Sequence, residues 1–490
     1  MITQYAVIAI YFLILLGIGV AASKRIKNIE DYYVGGKKLG YWLVAFSVRA
    51  TGESGWLLLG LTGLGAFAGV SAFWVVIGEV LGVSVAWLFM AKPFKRLSDK
   101  YNSITIPDFL VSHFNSKTNT LRIVAATALS LFVIIYVSAQ IDAIGSAFES
   151  FLKMNYYTGA LIGFVIVLLY VSYGGFIAVV WSDLFQGAMM FFGLVLLPVY
   201  VYSRLDDGVD IMASLNTIDA GLTNIWGKGG LTMYNIATVL GYCMIGLGFM
   251  GSPQLFVRFM SIKNEGEINK GRWVAIIFTL LTDSAAVCIG ILGRYLFTSV
   301  GQDVETILGN NAQNILPILT ENFLSIIISG IYVAVVLSAI MSTIDSLLVV
   351  ASSAITWDFY QQIYNPKIRP GKINRLSKIV TIAMAVFALI IAMIVAVTTP
   401  GRTIFWFIIF GWSGIAATFC PMIVLSLFWK DYKESGAIAS MITGFLSIPI
   451  FKFLIPLIPK VGIYFTQVAE LLPSFLISMT AGYLVSKFTR

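Results

Sequence analysis

Ser47-Val48-Arg49-Ala50-Thr51-Gly52-Glu53-Ser54-Gly55-Trp56 sets three hydroxyls, two opposite charges and two glycines in the middle of an apolar run over residues 41–69. In hydrocarbon every backbone N–H and C=O must be satisfied inside the protein, so a helix interrupted here has to line a site instead of facing lipid. Arg49 and Glu53 stand at i and i+4, and a simple ion pair across one turn is the competing structural explanation. A second interruption, Gly246-Leu247-Gly248-Phe249-Met250-Gly251-Ser252-Pro253, falls five apolar runs later. Five is odd, so the two broken segments cross the membrane in opposite senses, as in inverted repeats that share a midplane site.

Outward from these breaks the chain is apolar almost throughout: 58% of its 490 residues are hydrophobic and 11% charged. Runs long enough to cross roughly 30 Å of hydrocarbon recur at 3–22, 41–69, 71–91, 120–148, 157–176, 178–203, 231–259, 274–299, 324–356, 376–398, 403–428, 434–456 and 465–486. They are the first to thirteenth spans below. The expectation is an all-α polytopic membrane protein of about 13 helices, with no room for a sizeable soluble domain and no soluble enzyme.

The net charge of +8 is explained by insertion. With the N-terminus outside and an odd number of spans, 24 of the 32 Lys and Arg fall on cytoplasmic segments, among them Lys24, Arg25, Lys27, Arg258 and Arg490, and six fall outside. That asymmetry follows the positive-inside rule and calls for no nucleic-acid partner. The first run has no positive charge before it and no small-residue cleavage site, so it reads as a retained helix. The outer segment 204–230 is acidic and is expected to lie over an outer vestibule. Cys243, Cys288 and Cys420 sit inside apolar runs and suggest neither a disulfide framework nor a metal site; His113 reads as a solvated loop residue.

Ionisable side chains inside spans are costly and mark pathways or pairs. They are Arg49, Glu53, Glu79, Asp142, Asp183, Asp283, Arg294 and Asp345. Glu79 and Asp142 read as structural hydrogen-bond positions, and Asp283 and Arg294 as groups paired with neighbours. On the ninth span, residues 339, 342, 343 and 346 share a helical face, so the Ala339 carbonyl and the Ser342 and Thr343 hydroxyls can converge on one cation. Oxygen-only ligation suits Na⁺; a Ser/Thr helix-packing face is the alternative.

At these residues the chain resembles the sodium:solute symporter family, specifically its bacterial sodium/proline branch. The resemblance rests on Ser54-Gly55-Trp56-Leu57-Leu58-Leu59-Gly60, on Tyr173-Gly174-Gly175-Phe176 followed by Trp181-Ser182-Asp183-Leu184-Phe185-Gln186-Gly187, and on Gly251-Ser252-Pro253 with Arg258-Phe259-Met260. Met341-Ser342-Thr343 running into Ser352-Ser353-Ala354-Ile355-Thr356 completes it. It implies a LeuT-type five-plus-five inverted-repeat core. The corresponding division is an extra helix and loop at 1–40, repeats at 41–203 and 231–428 around the outer loop 204–230, and two extra helices at 429–490. It also implies a Na⁺ site of Ala50 and Glu53 carbonyls with Ala339, Ser342 and Thr343, and a supporting acid at Asp183. A possible second cation would use Asp183, Ser342, Asp345 and Ser346. Solute contacts would fall on Ser54, Gly55, Trp56, Tyr136 and Pro253.

The chain departs from the branch where an aspartate of the first break is Gly52, a methionine is Glu53, and two aromatic solute positions are Ile245 and Phe249. The implied function is Na⁺-coupled symport of a small solute, proline or a similar amino acid, by alternating access. It would act in a prokaryotic plasma membrane with the C-terminus inside, without an obligate protein partner. Two rivals are proton coupling through Glu53, Asp183 or Asp345, and a transporter-like sensor.

Overall fold

The computed structural model describes residues 2–26, 28–368 and 370–489, without the side chains of 170–174 and 370. Lys27, Arg369 and Arg490 of the charge count lie outside the described residues, as does the side chain of Tyr173. The described chain is helical throughout, and eleven stretches are long and apolar enough to cross a membrane. One of them, Tyr41–Lys100, has 60 residues, about 90 Å as a single rod, and is broken at Gly69 (φ 62°). It therefore holds the second and third spans. The fifth is the shorter apolar helix Tyr156–Leu169, ahead of Gly175–Tyr202; Gly175 (φ 51°, ψ −165°) divides them. These assignments recover the thirteen spans.

Both expected breaks are present. Helix Tyr41–Gly55 loses its geometry at Ser54 (φ 44°, ψ −169°) and continues through a π-helical turn, Trp56–Leu61, into Thr62–Ala68. That backbone region is essentially glycine-only and costs about 1–3 kcal/mol for any other residue. The seventh span runs as Met233–Met244, tightens to a 3₁₀ turn over Ile245–Met250, opens at Gly251 (φ 157°) and restarts at Pro253–Ser261. Proline suits that restart, because the first turn of a helix has no use for its missing N–H.

The ninth span, helix Ile326–Ser353, is the hub: every residue from Tyr332 to Ser353 is buried, whereas most of the first span at the rim is exposed or half-buried. Lipid supplies no hydrophobic drive for helices to associate, so close packing and hydrogen bonds hold the bundle together. The third and seventh spans touch backbone to backbone, where a Cβ on Gly78 would stand 1.9 Å from the Cys243 carbonyl oxygen and one on Gly246 1.9 Å from that of Gly78. The second and eighth do the same, with a Cβ on Gly290 2.1 Å from the Thr62 oxygen.

Segment 204–230 carries helix Ile211–Ile218 and covers the turn between the second and third spans, where Trp74 Nε1 donates to the Ile225 carbonyl at 2.9 Å. His113 differs from expectation. It ends helix Ile106–His113 half-buried among Tyr101, Phe109 and Phe114, and burial lowers its pKa below the usual imidazole range. Arg258 also differs: counted as a flanking cytoplasmic charge, it is fully buried.

Candidate cation and solute site

The first break meets the ninth span through hydroxyls. Ser342 Oγ donates to the Ala50 carbonyl at 2.9 Å and lies 3.1 Å from that of Ala339; Thr343 Oγ1 lies 3.0 Å from the Thr51 carbonyl and 3.2 Å from that of Ala339. Thr51 Oγ1 and Ser346 Oγ are 2.9 Å apart. The helical face read from positions 339, 342, 343 and 346 is thus turned onto the break, and its oxygens are buried. The Thr51 carbonyl joins the expected members. The carbonyl of the broken helix that meets Thr343 is that of Thr51, while Glu53 directs its carboxylate away, to Arg49 and toward Glu79 and Asp283.

Asp183 and Ser346 do come together, but a guanidinium joins them. Asp183 Oδ2 accepts from Ser47 Oγ at 2.5 Å, from Arg258 Nη2 at 3.0 Å and from Thr51 Oγ1 at 3.5 Å. The same Nη2 donates to Ser346 Oγ at 2.5 Å, and Ser346 Oγ donates to Asp345 Oδ1 at 3.3 Å. Arg258 thus bridges Asp183 and Ser346, two of the residues at which the resemblance implies a second cation. Arg258 was singled out only for the resemblance and otherwise counted as a flank, because it lies at the end of its apolar run, five residues before Lys263. The signal that could have found it is its place five residues after Pro253, one and a half turns into the restarted half-helix.

Of the residues implied for the solute, Ser54 meets Tyr136 of the fourth span, and Ile245 and Phe249 of the seventh span meet Trp412. Ser54 Oγ lies 3.5 Å from Tyr136 Oη and accepts from Gln140 Nε2 at 3.2 Å, and Gln140 Oε1 accepts from the Gly55 N–H at 3.2 Å. Trp56 Nε1 donates to the Gly52 carbonyl at 3.1 Å. On the seventh span the Ile245 carbonyl accepts from Trp412 Nε1 at 3.0 Å, and the Phe249 ring lies 5.0 Å from that of Trp412. Pro253 is buried at the start of its half-helix. Gln140, which holds the first break, and Trp412, which meets Ile245 and Phe249 of the seventh span, were not singled out from sequence.

Two of the departures from the proline branch fit each other. A Cβ added to Gly52 would stand 2.8 Å from Phe249 Cε1. The ring occupies the space that a side chain at position 52 would need, and its face lies 4.7 Å from the Arg49 guanidinium.

Over residues 32–444 the sequence matches the sodium:solute symporter family. The chain belongs to that family. It is a Na⁺-coupled solute symporter and a multi-pass membrane protein, not an enzyme. It is 33% identical over 483 residues to the high-affinity proline transporter PutP of Bacillus subtilis, covering 97% of this chain and 96% of that one. To the osmoregulated proline transporter OpuE of the same organism it is 31% identical, covering 99% and 94%. To sodium/proline symporter 2 of Staphylococcus saprophyticus it is 30% identical, covering 99% and 93%. Among solved structures, a Na⁺-coupled sialic acid symporter in a substrate-bound outward-open state superposes with a TM-score of 0.77 at 17% identity, covering 100% of this chain and 98% of that one. The nucleobase-cation-symport-1 transporter Mhp1 gives 0.53 at 14% identity, with 93% and 94% covered. These likenesses fix the LeuT-type fold.

In this symporter three further membrane charges, Asp142, Glu79 and Asp283, also find partners. Asp142 pairs with Arg402 and accepts from Tyr156 Oη at 2.5 Å, a structural clamp as expected. Glu79 and Asp283, read from sequence as separate structural positions, instead face the Arg49–Glu53 pair together.

Proposed function

We propose that this symporter carries proline, coupled to Na⁺ held by the Ala50, Thr51 and Ala339 carbonyls with the Ser342 and Thr343 hydroxyls. The observation that carries this reading is the pair of hydroxyl contacts, Ser342 to Ala50 and Thr343 to Thr51, across the first break. An ion at these oxygens ties the broken helix to the ninth span. Because Ser54 and Gly55 continue the same segment, it also orders the solute enclosure, giving positive coupling between the two ligands. The half-helix after Ser54 offers N–H groups to a carboxylate, and Trp56, Tyr136, Phe249 and Trp412 supply apolar walls for a compact ring. The relatives named as proline transporters, at 30–33% identity over nearly the whole chain, support the solute class. In this reading residues 41–203 and 231–428 form the two repeats. The chain lies in a bacterial plasma membrane with its N-terminus outside.

The test is radiolabelled proline uptake into proteoliposomes under an inward Na⁺ gradient, beside a K⁺ control and a pH gradient alone. Uptake under Na⁺ only is the expected result. Uptake that follows the pH gradient without Na⁺ would move coupling to protons. Absence of proline uptake, with Na⁺ still raising the thermal midpoint, would reject proline as the solute.

A further inference from the structure

Glu53 on the second span, Glu79 on the third and Asp283 on the eighth each contribute a carboxylate oxygen to a group lying within 4.8 Å of one another. All three residues are fully buried. Arg49 pairs with Glu53 and stands 3.8 Å from Glu79. Three carboxylates against one guanidinium leave a formal excess of two negative charges. Both oxygens of Glu79, and Oδ2 of Asp283, accept no hydrogen bond among the described residues; Asp283 Oδ1 accepts only from its neighbour Thr282, at 3.1 Å. Buried carboxylates are ordinarily paired, hydrogen-bonded or bound to a metal, because leaving them bare is costly.

The spacing suits a small hard ion. Such cations take oxygen ligands at about 2.3–2.6 Å, so ligands on opposite sides stand roughly 5 Å apart, and the three carboxylate oxygens lie within that limit. The ligand set is oxygen only, which disfavours transition metals, and Na⁺ is the ion this family already couples. We propose that Glu53, Glu79 and Asp283 bind a second Na⁺, with Arg49 as a built-in counter-charge. This inference rests on the first Na⁺ lying at Ala50, Thr51, Ala339, Ser342 and Thr343. The two sites share the broken helix: positions 50 and 51 face the ninth span, and position 53 faces the third and eighth. Phe249 lies over Arg49 on one side and against Trp412 on the other, so an ion here would be felt at the solute wall.

The experiment is equilibrium binding of radioactive Na⁺ to the purified full chain in detergent, by scintillation proximity. The expected result is two ions per wild-type chain and one in Glu79→Gln or Asp283→Asn, with the other lost in Ser342→Ala/Thr343→Ala. A single wild-type ion, kept in Glu79→Gln and lost in the hydroxyl double variant, overturns the second site and leaves the first standing. A single ion lost in Glu79→Gln but kept in the double variant overturns the first site instead. Displacement of one labelled ion by micromolar Ca²⁺ overturns the assignment to Na⁺. Should Glu79→Gln not fold, Glu79→Asp carries the test: it keeps the charge on a shorter arm and should hold the second ion at least tenfold more weakly. Unchanged affinity there would count against the site.

Discussion

Arg258 and Asp183, 75 residues apart in the chain and both fully buried, meet with Nη2 3.0 Å from Oδ2. The guanidinium is fixed further by Ser47 Oγ, 2.7 Å from Nε, and by Ser346 Oγ. Three spans and the restarted half-helix are thereby joined through one side chain. Removing one partner from a buried ion pair costs about 3–5 kcal/mol, whereas replacing both by apolar groups is often neutral. Arg258→Met and Asp183→Leu should each collapse the yield of folded protein, and the double variant should recover most of the thermal midpoint in detergent. A double variant no more stable than either single one would contradict the pairing.

The hydroxyls of the ninth span give a second expectation. Losing a hydrogen-bonding group at a site typically costs about 0.5–1.5 kcal/mol, which is roughly 2- to 10-fold in an equilibrium constant. Thr343→Ala should raise the Na⁺ concentration for half-maximal uptake by at least that factor, and Thr343→Ser should stay within about twofold of wild type. Titrating uptake against Na⁺ at fixed solute decides it, and an unaltered Na⁺ dependence in a folded Thr343→Ala would sink the assignment.

Gln140 and Tyr136 should differ in severity. Gln140 bonds both Ser54 Oγ and the Gly55 N–H, while Tyr136 reaches Ser54 only at 3.5 Å. Gln140→Leu strands two buried groups, at about 1–3 kcal/mol each, so its KM for the solute should rise well beyond that of Tyr136→Phe. Equal effects would mean that the break is not held by Gln140.

Ser54 sets stability against activity. Glycine would relieve most of the cost of the backbone geometry at φ 44°, ψ −169°, about 1–3 kcal/mol, but would remove the oxygen that Gln140 grips. Ser54→Gly should therefore keep or raise the thermal midpoint while lowering uptake. A fall in both would show that the hydroxyl network, not the backbone, dominates there.

Both helix breaks were legible because Ser, Gly and Pro interrupt otherwise continuous apolar runs, and the ninth-span face was legible because 339, 342, 343 and 346 recur at helical spacing. Partners on distant spans were not. Periodicity states which side of its own helix a residue occupies, and nothing in it assigns Asp283 to Glu79, Gln140 to Ser54 or Trp412 to Ile245. Arg258 was hidden for a related reason: a charge at the end of an apolar run looks like a membrane flank until the partner helices are in place.

The glycine contacts decide where this molecule can shear. The third span is welded to the seventh through Gly78 and Gly246, and the second to the eighth through Gly290 and Thr62, with backbones too close for relative rotation without collision. The ninth span meets the second through hydroxyls, which break and remake more cheaply than those backbone contacts, with Arg258 the ion-paired side chain that must release Ser346 along the seam. Opening toward either side of the membrane should therefore slide along the Ser342–Ala50 seam, carrying spans two, three, seven and eight as linked pairs. The groups proposed to hold the first Na⁺ lie on that moving boundary, and those proposed for the second lie within the spans that move.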